Sequence, residues 1–577
     1  MTGTPTRSEQ RRSRAAGADR QLRALWGEAQ AGLDLPSAGA ALVAVGGYGR
    51  GHLSPASDLD VVLLAVDGYD EALLGQLAER LWYPLWDANV PLDHAVRTQR
   101  QLRAAADDDV RVALGLLEMR HIAGDAALTL SSRSAVLAQW RRSAKRRLPL
   151  LVDDTRRRWA QLGDLGHATT PDLKESHGGL RDVTVLRALL ASWLVDVPAV
   201  ELDRQAIALL EVRDALQETT GRRTERLVAD YAAEVAERLG LTDAAALRAR
   251  VAEIGRGIGH LAQVAFRNVD WMLTPAPAGR PRRPVLEVVA PGVAAYRGEV
   301  VLTEKAQPAR DPLLGLRAAE AAATRGLLLT DAAAARLGRE SMAMPVPWPP
   351  EARGLLGRLL GSGRALVDVW ESLDQYGVVD SLLPEWTQVR HLAPQSSVHR
   401  FTVDRHLVQT CVEAAAYVDQ VDRPDLLVTA ALLHDIGKGG DADHSEVGEL
   451  IARDIAGRVG FSAKDAATIA RLVRHHLLLV DVATTRDLDD PRTAAAVASA
   501  VVDGPTLDLL AVLTEADALA TGPQAWSPWR KQLVDALVER SKRHLHLGSQ
   551  PDSSDRQTLG SPLLGRTNRG VERGRVG

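Results

Sequence analysis

The chain has 577 residues, 46% of them hydrophobic and 25% charged, with a formal net charge of −4. That is the composition of a globular protein of roughly three or four domains, and it excludes a disordered or fibrous chain; the charge argues against a general nucleic-acid coat, which usually needs a strongly basic face, and leaves a local basic cleft open. The single cysteine, Cys411, excludes a disulfide framework or a thiolate-rich metal site and fits a reducing cytoplasm, so any metal must be held by His, Asp and Glu.

In chain order, residues 1–20 are polar and arginine-rich without an apolar segment, which predicts a disordered leader and no secretory signal. ALVAVGG (41–47), DLDVVLLAV (58–66) and VPLDHAVRT (90–98) read as strands. LLGQLAERLWYPLW (73–86), 231–239 and 407–433 carry helical spacing. TPAPAGRPRRP (274–284) reads as a linker and MPVPWPP (344–350) as a second break. No apolar run approaches the roughly 18 to 20 residues of a membrane span, so no membrane association is expected. The expected fold is α+β and mostly α-helical: a small mixed sheet within 21–135, helical regions over 136–273 and 285–395, an all-α domain over 396–540 and a disordered tail over 541–577.

The stretch GGYGRGHLSPASDLDVVLL (46–64) places a Gly-Gly pair, an arginine, a serine next to the first aspartate and two alternating aspartates before an apolar strand. Side chains at i and i+2 share a face, so Asp58 and Asp60 point the same way while Leu59 points into the core. Two such carboxylates repel unless a cation neutralises them, and hard oxygen ligands select Mg²⁺ or Mn²⁺. Paired divalent ions about 4 Å apart are a recurring device for displacement at phosphorus. Gly46 and Gly47 let backbone N–H groups approach phosphate oxygens, with Ser57 and Arg50 available to the same anion. In 90–98, Val90, Leu92 and Val96 share one face and leave Asp93 on the other.

Downstream, His406, the adjacent pair His434–Asp435, then His444, His475–His476 and finally Asp517 form an ordered series. Neither His434 nor Asp435 belongs unpaired at the end of an apolar helix, and a metal would satisfy both. His406 and Asp517 complete a first set of ligands, and His444, His475 and His476 are candidates for a second ion. Lys438 sits where a cation could hold a phosphate.

The Gly-Gly turn with its D-x-D strand resembles the nucleotidyltransferase superfamily, whose members usually supply a third carboxylate from a neighbouring strand, and that resemblance makes Asp93 the candidate. The H…HD…H…HH…D series resembles the HD phosphohydrolases. PDLKESHGGLRDVTVLRALL (171–190), VRDALQETTGRRTERL (212–227), GVVDSLLPEW (377–386) and RDLDDPRT (486–493) resemble the bacterial PII uridylyltransferase/uridylyl-removing enzymes, over about residues 21–535. The resemblance implies transfer of UMP from UTP to a tyrosine of the PII nitrogen-regulatory protein, with Mg²⁺ on Asp58 and Asp60. It also implies hydrolytic removal at an HD site holding Mg²⁺ or Mn²⁺. Actinobacterial relatives use ATP, and the residues do not decide between the two nucleotides. Lys174, Arg181 and Asp182 line the nucleotide cleft or cap a helix. Relatives end in two ACT domains that bind glutamine. Only about 40 residues follow the HD helices here, without strand or helix pattern, so those domains and glutamine sensing in cis are expected to be absent. The competing reading is an RNA-directed nucleotidyltransferase with an HD domain, which the acidic balance disfavours.

Overall fold

The computed structural model describes residues 5–33, 35–274, 285–393 and 400–548. Near the N-terminus four strands, β1 (Ala40–Ala44), β2 (Leu59–Ala65), β3 (Leu92–Thr98) and β4 (Arg120–Gly124), form a sheet in the order β3-β2-β1-β4. β1 pairs antiparallel with β2 and β4, and β2 pairs parallel with β3, so the sheet is mixed.

Both faces of this sheet are covered, and the two-residue period of the strands decides what each covers. Leu42, Ala44, Val61 and Leu63 pack under the helices Arg7–Leu33 and Glu71–Asp87. Ala41, Val43, Val62 and Leu64 pack against the helices Ala126–Leu162, Leu180–Ser192, Ala199–Thr220 and Ala244–Leu273. Each fully buried leucine or valine in these layers contributes roughly 1.5–3 kcal/mol. Asp58 and Asp60 share their parity with Val62 and Leu64, so they face the helical layer, and a cleft opens between it and the sheet.

The expected disordered leader is corrected. Residues Arg7–Leu33 form one helix despite their polar composition, because its charges have partners elsewhere in the fold. Arg11 pairs with Asp214 at 2.6 Å, both side chains fully buried. Asp19 accepts from the Tyr48 hydroxyl at 2.6 Å and from Arg120 at 2.7 Å.

The expected helical region 285–395 is corrected as well. It opens with a second sheet, β5 (Glu287–Ala290), β6 (Val293–Tyr296), β7 (Glu299–Leu302) and β8 (Leu328–Leu329), in that order. β6 and β7 are joined through Arg297 and Gly298, both at positive φ (54° and 82°), the two-residue hairpin turn that matches strand twist. The R-G pair between two apolar runs is the signal that sequence reading passed over. The helices from Pro350 onward, including Val403–Ala414, Pro424–Leu433, His444–Val459, Ala463–Arg474 and Gly504–Thr521, pack into one apolar core with this sheet. The linker expected at 274–284 lies outside the described residues from position 275. Of the tail expected over 541–577, residues 549–577 lie outside them, whereas 541–548 belong to the helix Pro528–Gly548. Among the described residues no single helix is long and apolar enough to cross a membrane.

Candidate functional site

The cleft between the first sheet and the helical layer has a volume of about 510 Å³ and is lined by Gly46, Gly47, Arg50, Ser57, Asp58, Asp60, Asp93, Lys174 and Arg181. Parallel pairing sets Asp93 of β3 directly opposite Asp60 of β2, so the three carboxylates converge from two strands. The consequence is electrostatic. The Asp60 carboxyl is pushed up to about 6, chiefly by burial and then by Asp93 and Asp58, against the opposing pull of Lys174 and Arg223. A carboxylate whose ionised form is disfavoured by burial and by like-charged neighbours is what a divalent cation would relieve, so the residues present fit a hard metal ion.

Glycine is required at position 46. Its φ is +56°, and a Cβ there would lie 3.1 Å from Asp60 Oδ2, so the bare backbone makes room for the carboxylate. Gly47 follows in the same short turn, Gly46–Gly49.

The opposite wall is cationic. Lys174 is half-buried, and its ammonium makes no hydrogen bond or ion pair among the described residues. Burial, then Arg181, lowers its pKa. Most neighbouring cations already hold a carboxylate: Arg50 with Glu118 at 3.6 Å, Arg181 with Glu175 at 2.9 Å, Arg213 with Glu225 and Arg187 with Asp203 at 2.6 Å. Arg223 pairs with Asp58 itself. Lys174 and Arg111 are therefore the cleft cations left without an ion pair among the described residues, and Lys174 is the half-buried one of the two. Lys174→Ala is expected to raise the nucleotide KM about 30-fold with kcat little changed, the equivalent of about 2 kcal/mol for one charge-assisted contact. Steady-state kinetics on the folded variant would show it, and an unchanged KM would rule out a phosphate contact by Lys174.

Asp182 divides from its neighbours in the same segment. It is fully buried, accepts from the Gly178 N–H at 2.7 Å and from Trp159 Nε1 at 3.0 Å, and pairs with Arg158. It fastens the Gly178–Gly179 turn from which the helix Leu180–Ser192 starts, while Lys174 and Arg181 face the cleft. Gly178 has φ +85°, and a Cβ on it would come within 2.1 Å of the Gly255 carbonyl, so the turn lies directly on the long helix Ala244–Leu273. Arg111, Arg187, Arg213 and Arg223 also line the cleft and were missed. For Arg213 and Arg223 the signal was the arginine-rich VRDALQETTGRRTERL, in which no single residue stands out without the fold.

The second centre lies in the other core. His406 on the helix Val403–Ala414, His434 at the end of the helix Pro424–Leu433 and Asp517 on the helix Gly504–Thr521 converge, and Asp435, His444 and His476 form an adjoining group. His406 Nε2 lies 2.9 Å from Asp517 Oδ1 and 3.1 Å from His434 Nε2. Asp435 Oδ1 lies 3.6 Å from Nε2 of both His444 and His476, is buried and accepts no hydrogen bond among the described residues. Lys438 donates to its other oxygen at 2.5 Å.

The imidazoles are oriented from behind. His434 Nδ1 bonds the Ala431 carbonyl at 2.9 Å and His476 Nδ1 the Val473 carbonyl at 2.7 Å, so each N–H donates backward and each Nε2 lone pair points into the group. Burial pushes the His476 ring down to about 4, leaving it neutral as a metal ligand must be. The buried acceptor on Asp435 and the two ligand-like groups fit a pair of divalent ions. His475 is corrected. It caps the helix Ala463–Arg474, is half-exposed and joins neither group, because the backbone turns there and sends adjacent side chains apart.

The description GlnD PII-uridylyltransferase matches residues 148–266, across the helical layer and the Lys174–Arg181 segment, and HD domain matches residues 403–522. A Corynebacterium glutamicum protein named bifunctional uridylyltransferase/uridylyl-removing enzyme is 35% identical over 516 residues, covering 88% of this chain and 72% of that protein. The chain belongs to the bifunctional uridylyltransferase/uridylyl-removing enzyme family. Members from Streptomyces coelicolor and Mycobacterium tuberculosis are 52% and 44% identical over 89% and 88% of this chain. The chain spans 63% and 64% of the length of those two family members.

Proposed function

We propose that this chain transfers UMP from UTP to a tyrosine of the PII nitrogen-signalling protein and removes it by hydrolysis, in the cytoplasm. The observation that carries the reading is the pairing, in one chain, of a three-carboxylate cleft with a free cation and a separate six-residue His/Asp centre.

In transfer, the tyrosine oxygen forms a bond to the α-phosphorus of the nucleotide while the bond to pyrophosphate breaks, and the hydroxyl proton is lost. Asp58, Asp60 and Asp93 would hold Mg²⁺, which supplies neutralisation of charge on the phosphates. Lys174 and Arg181 face the triphosphate from the helical wall and Arg50 and Ser57 from the sheet side, while Gly46 and Gly47 allow close approach of backbone.

In removal, a water oxygen bonds to phosphorus and the tyrosine–phosphate bond breaks, releasing UMP and the free hydroxyl. His406, His434 and Asp517, with Asp435, His444 and His476, would hold divalent ions, Mg²⁺ or Mn²⁺, which supply an ionised water and a Lewis acid. Lys438, three residues beyond Asp435, stands beside the centre as a counter-charge for the phosphodiester.

The test is the intact mass of a purified PII trimer after incubation with this protein, Mg²⁺ and either UTP or ATP, with and without glutamine. A shift of one UMP per subunit with UTP, reversed once UTP is withdrawn, is the expected result. An AMP shift with ATP alone would overturn UTP as donor, and no shift with either would overturn PII as acceptor.

A further inference from the structure

The helix Val403–Ala414, which carries His406, is anchored at its first turn by residues of the transferase half. Arg256, on the long helix Ala244–Leu273, donates from Nη1 to Asp404 Oδ2 at 2.6 Å. The same guanidinium reaches Glu371 at 2.5 and 2.9 Å, Asp374 at 3.0 Å and His391 Nδ1 at 3.0 Å. The His391 backbone N–H donates to the same Asp404 oxygen at 3.0 Å. At the cap of the helix, His167 Nδ1 and the Thr402 hydroxyl share a hydrogen bond of 3.0 Å, both residues buried.

These contacts reach the candidate metal centre within one helical turn. The His406 N–H donates to the Thr402 carbonyl at 2.8 Å, so His406 belongs to the turn that Thr402 and Asp404 begin. Three carboxylates, Glu371, Asp374 and Asp404, meet at a side chain only 11% exposed. They are kept together by a planar cation with five donors, and a lysine, with its compact ammonium, lacks the span to bridge them all. Arg390 also pairs with Asp374 at 2.6 Å and Arg405 with Glu371 at 3.5 Å, whereas the ion pair of Asp404 is with Arg256. Without the guanidinium, Asp404 would lose that pairing and its hold on the turn.

We propose that Arg256 is a positioning residue for the HD centre: acting through Asp404, it holds the turn that carries His406 from the transferase half of the chain. Removal activity then depends on the transferase half as a structural partner. The proposal rests on the reading of His406, His434 and Asp517 as metal ligands.

The test uses the full chain carrying Asp58→Asn and Asp60→Asn, so that only the HD centre takes up metal, with Mn²⁺ titrated by electron paramagnetic resonance. Arg256→Gln is expected to weaken Mn²⁺ binding about 10- to 100-fold, and Arg256→Lys, which keeps the charge and loses the bridge, about 3- to 10-fold. Transfer, measured for each substitution with Asp58 and Asp60 restored, should stay within about three-fold of the parent. Should Arg256→Gln not fold, Arg256→Lys carries the test by its own numbers. Mn²⁺ affinity within two-fold of a parent that binds Mn²⁺ would overturn the proposal alone, as would equal losses of transfer and of Mn²⁺ binding. A parent that binds no Mn²⁺ would overturn the metal reading, and the proposal with it.

Discussion

Replacing Asp58 and Asp60 together by asparagine is expected to lower transfer by at least about 10³-fold and to leave removal within about two-fold of the parent. Asparagine keeps the shape of each side chain, so the loss isolates charge. The three carboxylates face one cleft from adjacent strands, and two of the three charges vanish. The HD centre is built from helices of a different core and takes nothing from the cleft.

The same substitution should have a signature in stability. With metal chelated, Asp60 binds its proton more tightly folded than unfolded, since burial and its neighbours push it up to about 6 from 3.8. A raised carboxyl makes the folded chain lose stability as pH rises through that interval, so at neutral pH the ionised Asp60 is a liability. Asp60→Asn should therefore melt above the parent at pH 7.5 in chelator, and the difference should shrink as pH falls below 6. Mg²⁺ affinity of the parent should rise with pH through about 6 and level off, because metal and proton compete for one carboxylate. Calorimetry and a Mg²⁺ titration would check both, and a pH-independent Mg²⁺ affinity would remove Asp60 from the ligand set.

The reverse variant, His434→Ala with Asp435→Ala, is expected to abolish removal, again by at least about 10³-fold, and to leave transfer within about two-fold. His434 and Asp435 are the residues through which the two ligand groups touch. His434 Nε2 lies 3.6 Å from both Asp435 Oδ2 and Asp517 Oδ1, and Asp435 reaches on to His444 and His476. Removing both ends the convergence and leaves Lys438 without its carboxylate. Elemental analysis of the purified variant should show loss of HD-bound metal alongside loss of hydrolysis of uridylylated PII. Both residues are buried, so Asp435→Asn serves as the milder companion if the alanine pair unfolds. Loss of both activities in either double variant, with the fold intact, would sink the separation of the two centres.

Much of this chemistry is legible in sequence because it is local. The parity of Asp58 and Asp60 follows from the two-residue period of a strand, and the adjacency of His434 and Asp435 at the end of an apolar helix already asks for a cation. The same period, with Val90, Leu92 and Val96 on one face, placed Asp93 on the other. That it stands opposite Asp60 is a matter of parallel register, which no local pattern specifies.

Tertiary structure decided the rest, for one recurring reason: whether a polar residue is free or already partnered depends on residues far away in the chain. Arg11 and Asp19 lie in a segment that reads as a solvated leader and are tied to Asp214, Tyr48 and Arg120. Lys174 and Arg181 read alike, yet only Arg181 has its carboxylate in Glu175. His475 and His476 read as a pair, and the end of one helix separates them. Sequence by itself determined which candidate ligand types this protein carries and on which local faces. The folded chain alone decided which of them meet, because pairing, burial and helix ends are set by contacts across the fold rather than along it.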